Sequence, residues 1–148
     1  MNIPQIFPVR KQAEILYRIL QKRLDTLAMR EANLDMWLIL CQEDDYDPVF
    51  KTLVPLDTWA PILQMLIFYD PGPGKEIERI NLSMTDTQGL YDRPWRGTDP
   101  AEQWQRLRGI IQERKPSRIG INTGSTQWAA GGLTHNLYTQ LTQALPDG

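Results

Sequence analysis

Residues 116–125 read PSRIGINTGS, and the elements predicted around them indicate the fold class. Lys115-Pro116 ends an amphipathic helix pattern, because proline lacks the amide N–H that a helix interior needs. The short apolar run that follows, residues 118–122, is typical of a buried strand. A Gly/Trp-rich loop comes next, and then a last helix that Thr134 can cap and that runs to about Leu145. Helix, strand and helix in close order predict layered α/β packing.

The helix before this strand has a well-defined start. Asp99 is predicted to cap it, Pro100 takes the first helical position and Glu102 completes a capping box. Its apolar stripe consists of Trp104, Leu107, Ile110 and Ile111. A short connection from helix to strand is the second half of a right-handed crossover, if the partner strand lies parallel.

Three earlier segments carry periodic patterns. Residues 36–41, MWLILC, are continuously apolar, which favours a strand buried on both faces. Residues 62–69, ILQMLIFY, are the strongest strand pattern, and with residues 76–83 they predict an antiparallel hairpin. Residues 10–32 repeat apolar residues at helical spacing, which predicts a long helix with one buried face. The basic residues on its other side favour a solvated surface over a surface for an acidic partner.

The composition is that of one globular domain. The chain has 148 residues, 41% of them hydrophobic, and a net charge of −2. Nucleic acids and anionic membranes favour a basic excess, so neither is expected as a partner. No apolar run approaches about 20 residues and the N-terminus lacks a signal-peptide pattern, so a cytoplasmic location is expected. The single cysteine, Cys41, fits a small buried residue and predicts neither a disulfide nor a zinc site.

Few residues offer catalytic chemistry. Residues 43–47, EDDYD, form an acidic loop at the carboxyl end of a predicted strand, where α/β sheets usually place ligands. A solvated loop is nevertheless favoured over a cation site, because the spacing matches no EF-hand loop. The only histidine, His135, favours a surface role over that of a ligand or a base. We therefore assign no catalytic residue.

Residues 84–98 form a polar loop of a length that is often functional. Tyr91, Arg93 and Trp95 are residue types that anchor interfaces, and they are our candidates for contacts with a partner or a substrate cleft. In the alternative interpretation, Tyr91 and Trp95 pack on the sheet and the arginines pair with carboxylates. The sequence leaves both interpretations open.

Longer segments around these elements resemble a known family. Residues 89–97 read GLYDRPWRG, and residues 104–146 read WQRLRGIIQERKPSRIGINTGSTQWAAGGLTHNLYTQLTQALP. In their order and spacing they are similar to the end of the amino-terminal domain in bacterial Xaa-Pro peptidases and their creatinase/prolidase relatives. Residues 30–50 and 59–70 fit the same domain. The resemblance covers roughly residues 10–146.

The resemblance implies both a fold and a division of labour. The implied fold is a single three-layer α/β domain over residues 1–148, with a ribonuclease H-like motif. Its sheet is mixed, mostly parallel and of about five strands, with an antiparallel hairpin and helices on both faces. A catalytic pita-bread domain would follow, in which two Asp, one His and two Glu bind two divalent metal ions and cleave Xaa-Pro bonds. None of those ligand positions lies within this chain.

Our leading expectation is therefore a non-catalytic amino-terminal domain of an Xaa-Pro metallopeptidase, with no metal or cofactor of its own. Its expected partners are its own catalytic domain, a second copy in a homodimer and, in the full-length protein, a proline-containing peptide. One alternative is a stand-alone binding or scaffold domain, which the gene sequence beyond Gly148 would distinguish. Another is a small-molecule enzyme that uses the acidic loop at residues 43–47.

Overall fold

The computed structural model describes residues 9–24, 29–43, 47–124 and 131–146, with the backbone alone for residues 9–13. These parts of the chain form four helices and four strands: α1 (Val9–Leu24), β1 (Met36–Gln42), α2 (Phe50–Leu53), β2 (Leu63–Tyr69), β3 (Glu78–Asn81), α3 (Pro100–Arg114), β4 (Ile119–Ile121) and α4 (His135–Ala144). The chain is thus an α/β protein, as the sequence predicts.

The strands form one open mixed sheet in the order β3-β2-β1-β4. β2 and β3 pair antiparallel, so the predicted hairpin is confirmed. β4 lies parallel to β1, with Met36 opposite Ile119 and Leu38 opposite Ile121. The chain reaches β4 through α3, which is the crossover that the helix-to-strand order predicts.

The expectation of a mostly parallel sheet is wrong for the described strands. β1 and β2 are antiparallel over seven residue pairs, so two of the three strand pairings are antiparallel. Gln42 at the end of β1 lies opposite Leu63 at the start of β2, so the chain re-enters the sheet at the end where it left.

Side chains of β1 alternate between two hydrophobic clusters. Met36, Leu38 and Leu40 belong to a cluster that contains side chains of α3 and α4, which we call the α3/α4 cluster. Ile39 and Cys41 belong to a second cluster with side chains of α1 and α2, the α1/α2 cluster. β1 is therefore buried on both faces, as its continuous apolar run predicts.

Helix α1 differs from its prediction in extent and in burial. Its described part runs to Leu24, and residues 25–28 lie outside the described part of the chain. Residues 29–33 form turns, so the helix does not extend to residue 32. Leu20 and Leu24 are buried in the α1/α2 cluster, whereas Leu16 and Ile19 are exposed. At 100° per residue, the apolar positions cover a wider arc around α1 than the part of the helix that packs against the α1/α2 cluster. The buried face of α1 is thus narrower than its apolar pattern predicts.

The predicted caps of α3 and α4 and the predicted end of α3 are confirmed, whereas the Glu102 half of the capping box stays a prediction. The Asp99 carboxylate accepts a hydrogen bond from the Ala101 amide at 2.9 Å, and Thr134 Oγ1 accepts one from the Leu137 amide at 3.3 Å. Lys115 ends α3 in the left-handed conformation, at φ 47°. In the part of the chain that is described, no helix has the length and apolar character to cross a membrane.

Candidate functional site

The carboxyl edge of β1 and β4 is the first place to look for a site, because parallel neighbours in α/β sheets commonly bind ligands there. Asp47, in the acidic segment after β1, is only 1% exposed. Its Oδ1 accepts hydrogen bonds from the amides of Val49 at 2.7 Å and Phe50 at 3.3 Å, where α2 begins. Glu43 is exposed as predicted, but the prediction of a solvated Asp47 is wrong. Residues 44–46 lie outside the described residues.

Asp47 also joins the two parallel strands. Asn122, the residue after β4, donates from Nδ2 to Asp47 Oδ2 at 2.8 Å, and its Oδ1 accepts from the indole N–H of Trp37 at 2.8 Å. Gly132 lies against the same carboxylate, and a Cβ at this position would overlap it. We call Trp37, Asp47, Asn122 and Gly132 the Asp47 network. Through hydrogen bonds within the chain, this network joins the segments that follow β1 and β4.

The Asp47 network was missed in the sequence. Asp47 and Asn122 are 75 residues apart, so no local pattern relates them. The available signals were a polar residue at the end of an apolar strand and a glycine before the last helix. Either feature is common in loops, and neither specifies its partner.

The candidates in the loop of residues 84–98 lie mostly inside the fold. Tyr91 is 6% exposed, its hydroxyl donates to the Leu53 carbonyl at 2.7 Å, and its ring meets Phe68 edge-on. Burial raises the pKa of the Tyr91 hydroxyl above its ordinary value. Trp95 is 4% exposed and belongs to the α3/α4 cluster.

The Arg93 side chain is mostly buried and binds the start of its own loop. Its Nη2 donates to the carbonyls of Ser83 at 3.2 Å and Met84 at 2.7 Å, and its Nη1 lies 3.6 Å from the Asp86 carboxylate. These positions are what the alternative interpretation of the loop predicts. A partner or cleft contact for Tyr91, Arg93 and Trp95 stays a prediction.

Other carboxylates with fixed positions also serve the fold. Asp35, just before β1, accepts at Oδ2 from the amides of Ser117 at 2.7 Å and Arg118 at 3.1 Å. Asp70, just after β2, binds the Arg30 guanidinium at 2.7 and 2.8 Å, and this hydrogen bonding holds the pKa of Asp70 below its ordinary value. Within residues 9–24, 29–43, 47–124 and 131–146, no group of three or more His, Cys, Asp or Glu side chains is placed to hold a metal ion. His135 is exposed at the start of α4.

The described surface has an apolar groove beside α1. It has a volume of about 420 Å³ and lies between α1 and the segment that follows α2. Apolar side chains from both walls line it: Leu16, Ile19, Leu20, Val54, Pro55 and Leu56. We call it the α1 groove. The groove can bury apolar groups of a ligand. It was not predicted from the sequence, because helical periodicity does not show how much of the apolar face of α1 the neighbouring elements cover.

These features define an α/β domain. The Asp47 network occupies the carboxyl ends of its parallel strands β1 and β4, and an apolar groove lies open beside α1. Comparisons with protein-family models, curated proteins and solved structures give no match.

Proposed function

We propose that this chain is the non-catalytic amino-terminal domain of an Xaa-Pro metallopeptidase of the creatinase/prolidase type. In this proposal it contributes dimer contacts and walls of the cleft for a proline-containing peptide in a cytoplasmic protein. The two divalent metal ions and the catalytic residues belong to a following pita-bread domain. The three-layer arrangement with about five strands is part of the same proposal.

The observation that supports it best is the arrangement of the resembling segment. Residues 104–146 supply most of α3, all of β4 and α4, and β4 pairs parallel with the central strand β1. A crossover helix, a strand and a covering helix in a mixed sheet are what the resemblance implies for this domain. The resemblance itself rests on the residues quoted above.

The non-catalytic role is supported by what the buried carboxylate does. The Asp47 carboxylate receives backbone amides and the Asn122 side chain, and Asp35 receives two more amides. A dinuclear metal site needs carboxylates from several elements that are directed at one point. Carboxylates that bind the chain's own amides in this way are consistent with a domain that has a structural rather than a catalytic role.

The experiment compares the complete gene product with residues 1–148. Both are purified, supplied with Mn²⁺ and assayed on a dipeptide with proline in the second position. The complete product is expected to cleave the Xaa-Pro bond, and residues 1–148 alone are expected to leave it intact. A gene that ends at Gly148, or cleavage by residues 1–148 alone, would overturn the proposal.

A second candidate is the stand-alone binding or scaffold domain, and the α1 groove favours it. An apolar groove on a domain without catalytic groups of its own can serve any partner. A gene that ends at Gly148, together with a partner held in this groove, would support this reading over the peptidase domain.

A further inference from the structure

Half of the apolar face of α1 is left open by the fold. Leu20 and Leu24 pack into the α1/α2 cluster, while Leu16 and Ile19 lie on the open side, Ile19 with 52% of its surface exposed. The opposite wall ends in Leu56, which is 72% exposed. Large apolar side chains on two facing walls of a groove are typical of a binding surface rather than of scattered surface residues.

The charge on the α1 side of this opening is mostly positive. Helix α1 has five basic residues and one acidic residue, a net charge of +4, whereas the whole chain carries −2. The rest of the chain therefore carries −6. Counted from Val9 at 100° per residue, Arg18 and Lys22 lie at about 180° and 220° around the helix axis, next to the exposed apolar positions at about 240–340°. Positive charge thus borders the groove on its α1 side.

The far end of the groove is also basic. Arg23 and Lys51 line it, and both make contacts within the chain: Arg23 Nη1 donates to the Thr52 carbonyl at 2.9 Å, and Lys51 Nζ lies 3.5 Å from the Thr58 carbonyl. These contacts hold the two cations beside the apolar floor. Asp57 is the one carboxylate among the groove's described lining residues.

Shape and charge together select one kind of occupant. A second copy bound through the same groove would bring two helices of charge +4 together, which charge repulsion disfavours. A membrane surface is flat, whereas this surface is a groove with an exposed leucine on its far wall. An amphipathic helix that lies in an apolar groove fits both the concavity and the row of flanking charges.

We propose that the α1 groove binds an acidic amphipathic helix of a partner protein. Apolar side chains of that helix, spaced three and four residues apart, enter between Ile19 and Leu56. Its carboxylates lie opposite Arg18 and Lys22. The inference does not depend on the peptidase assignment, because none of its candidate contacts, Tyr91, Arg93 and Trp95, lines the α1 groove.

The test uses a synthetic probe, because the natural partner is not identified. The probe is an 18-residue fluorescein-labelled peptide with leucine at positions i, i+3, i+4 and i+7 and glutamate at most other positions. Fluorescence anisotropy against the full chain should show saturable binding. A peptide with the same leucines and lysine for glutamate, and a glutamate peptide with scrambled leucines, should each bind at least tenfold more weakly.

Variants of exposed residues assign the binding to the groove. Ile19→Gln and Leu56→Gln, made separately, should each weaken the glutamate peptide at least tenfold, while Ile62→Gln, an exposed isoleucine outside the groove lining, should leave it unchanged. Arg18→Glu should weaken the glutamate peptide and strengthen the lysine peptide. Arg96→Glu, an exposed arginine outside the groove lining, is the charge control. Thermal melting shows that each variant is folded.

Each alternative occupant has its own readout. The proposal is overturned if the glutamate and lysine peptides bind equally, or if both groove variants bind like the unchanged chain. If analytical ultracentrifugation shows that the unchanged chain is a dimer and that the Ile19→Gln variant is a monomer, the groove binds a second copy of the chain instead. Binding to phosphatidylglycerol vesicles that is stronger than peptide binding, and is lost in Ile19→Gln, would assign it to a lipid surface.

Discussion

At the carboxyl edge of β1 and β4, Asp47 is 1% exposed and accepts hydrogen bonds from three partners, whereas beside α1 the side chain of Ile19 is 52% exposed. The first region is where the topology of an α/β sheet usually places a ligand. There the chain fills the position with its own polar groups. The second region is an ordinary helix surface in topological terms, yet it leaves apolar area open. In this molecule, the exposure of side chains distinguishes the α1 groove, which we propose binds a partner, from the Asp47 network, which supports the fold. The position of each region in the sheet topology does not.

The largest expected effect is at the Asp47 network. Asp47→Ala removes the acceptor of the Val49 and Phe50 amides and of the Asn122 side chain, and leaves buried donors without partners. Unsatisfied buried donors cost more than the net value of a hydrogen bond, so we expect a loss of about 3 kcal/mol in the free energy of unfolding. Urea denaturation, read as a shift in midpoint at constant slope, measures it.

The matched control is Asp57→Ala, because Asp57 is an exposed carboxylate beside the groove. It should change the free energy of unfolding by less than about 0.5 kcal/mol. Equal effects of the two substitutions would mean that the Asp47 network does not close the sheet edge, and the contrast between the two regions would be lost.

A smaller effect is expected at the outer member of the network. Trp37→Phe removes the indole N–H that binds Asn122 Oδ1 at 2.8 Å, but keeps a ring beside Phe68. We expect a loss of about 1 kcal/mol, the usual net value of one hydrogen bond. A double-mutant cycle with Asn122→Ala isolates this bond, and a coupling energy near zero would show that Trp37 contributes by packing alone.

These two regions also mark the limits of the sequence as a guide. Helix α3 was predicted with its cap because Asp99 and Pro100 stand at its start. Strands β1 and β2 were predicted because each is a short, mostly apolar segment. Local patterns carry that information. The mostly parallel sheet was predicted wrongly, because strand direction depends on the path of the connections.

The site features depended on long-range packing. Asp47 lies in an acidic run that resembles a solvated loop, and its burial follows from Asn122 and Gly132, which are far along the chain. The groove exists because the cluster covers only one side of α1. Apolar spacing predicts that a helix has an apolar face, but the width of the neighbouring surface decides how much of it is buried.

A pH-dependent effect is expected at the opposite edge of the sheet. The Arg30 guanidinium, which binds Asp70 at 2.7 Å, is the main cause of the lowered pKa of Asp70. A lowered carboxyl pKa stabilises the fold above the ordinary aspartate value of about 4, and this contribution disappears as pH falls through the folded-state pKa. Arg30→Gln should therefore lose less stability than the unchanged chain when pH falls from 6 to 3.

Urea midpoints at several pH values measure this difference, with Arg118→Gln as the control at an exposed arginine. Parallel profiles for the unchanged chain and Arg30→Gln would show that the ion pair is fully screened. The effect is expected to be modest, because the arginine side chain is half exposed.

The smallest change in stability is expected in the groove, and adjacent residues of α1 provide the comparison. Ile19→Gln should change the free energy of unfolding by less than about 0.5 kcal/mol, since the side chain is exposed. Leu20→Ala, one residue along, should cost about 2–3 kcal/mol, because Leu20 is buried in the α1/α2 cluster. If Ile19→Gln were as costly as Leu20→Ala, the open side of α1 would be covered in solution. Thermal melts at two protein concentrations would then show whether the cover is a second copy, because only an intermolecular contact makes the midpoint depend on concentration.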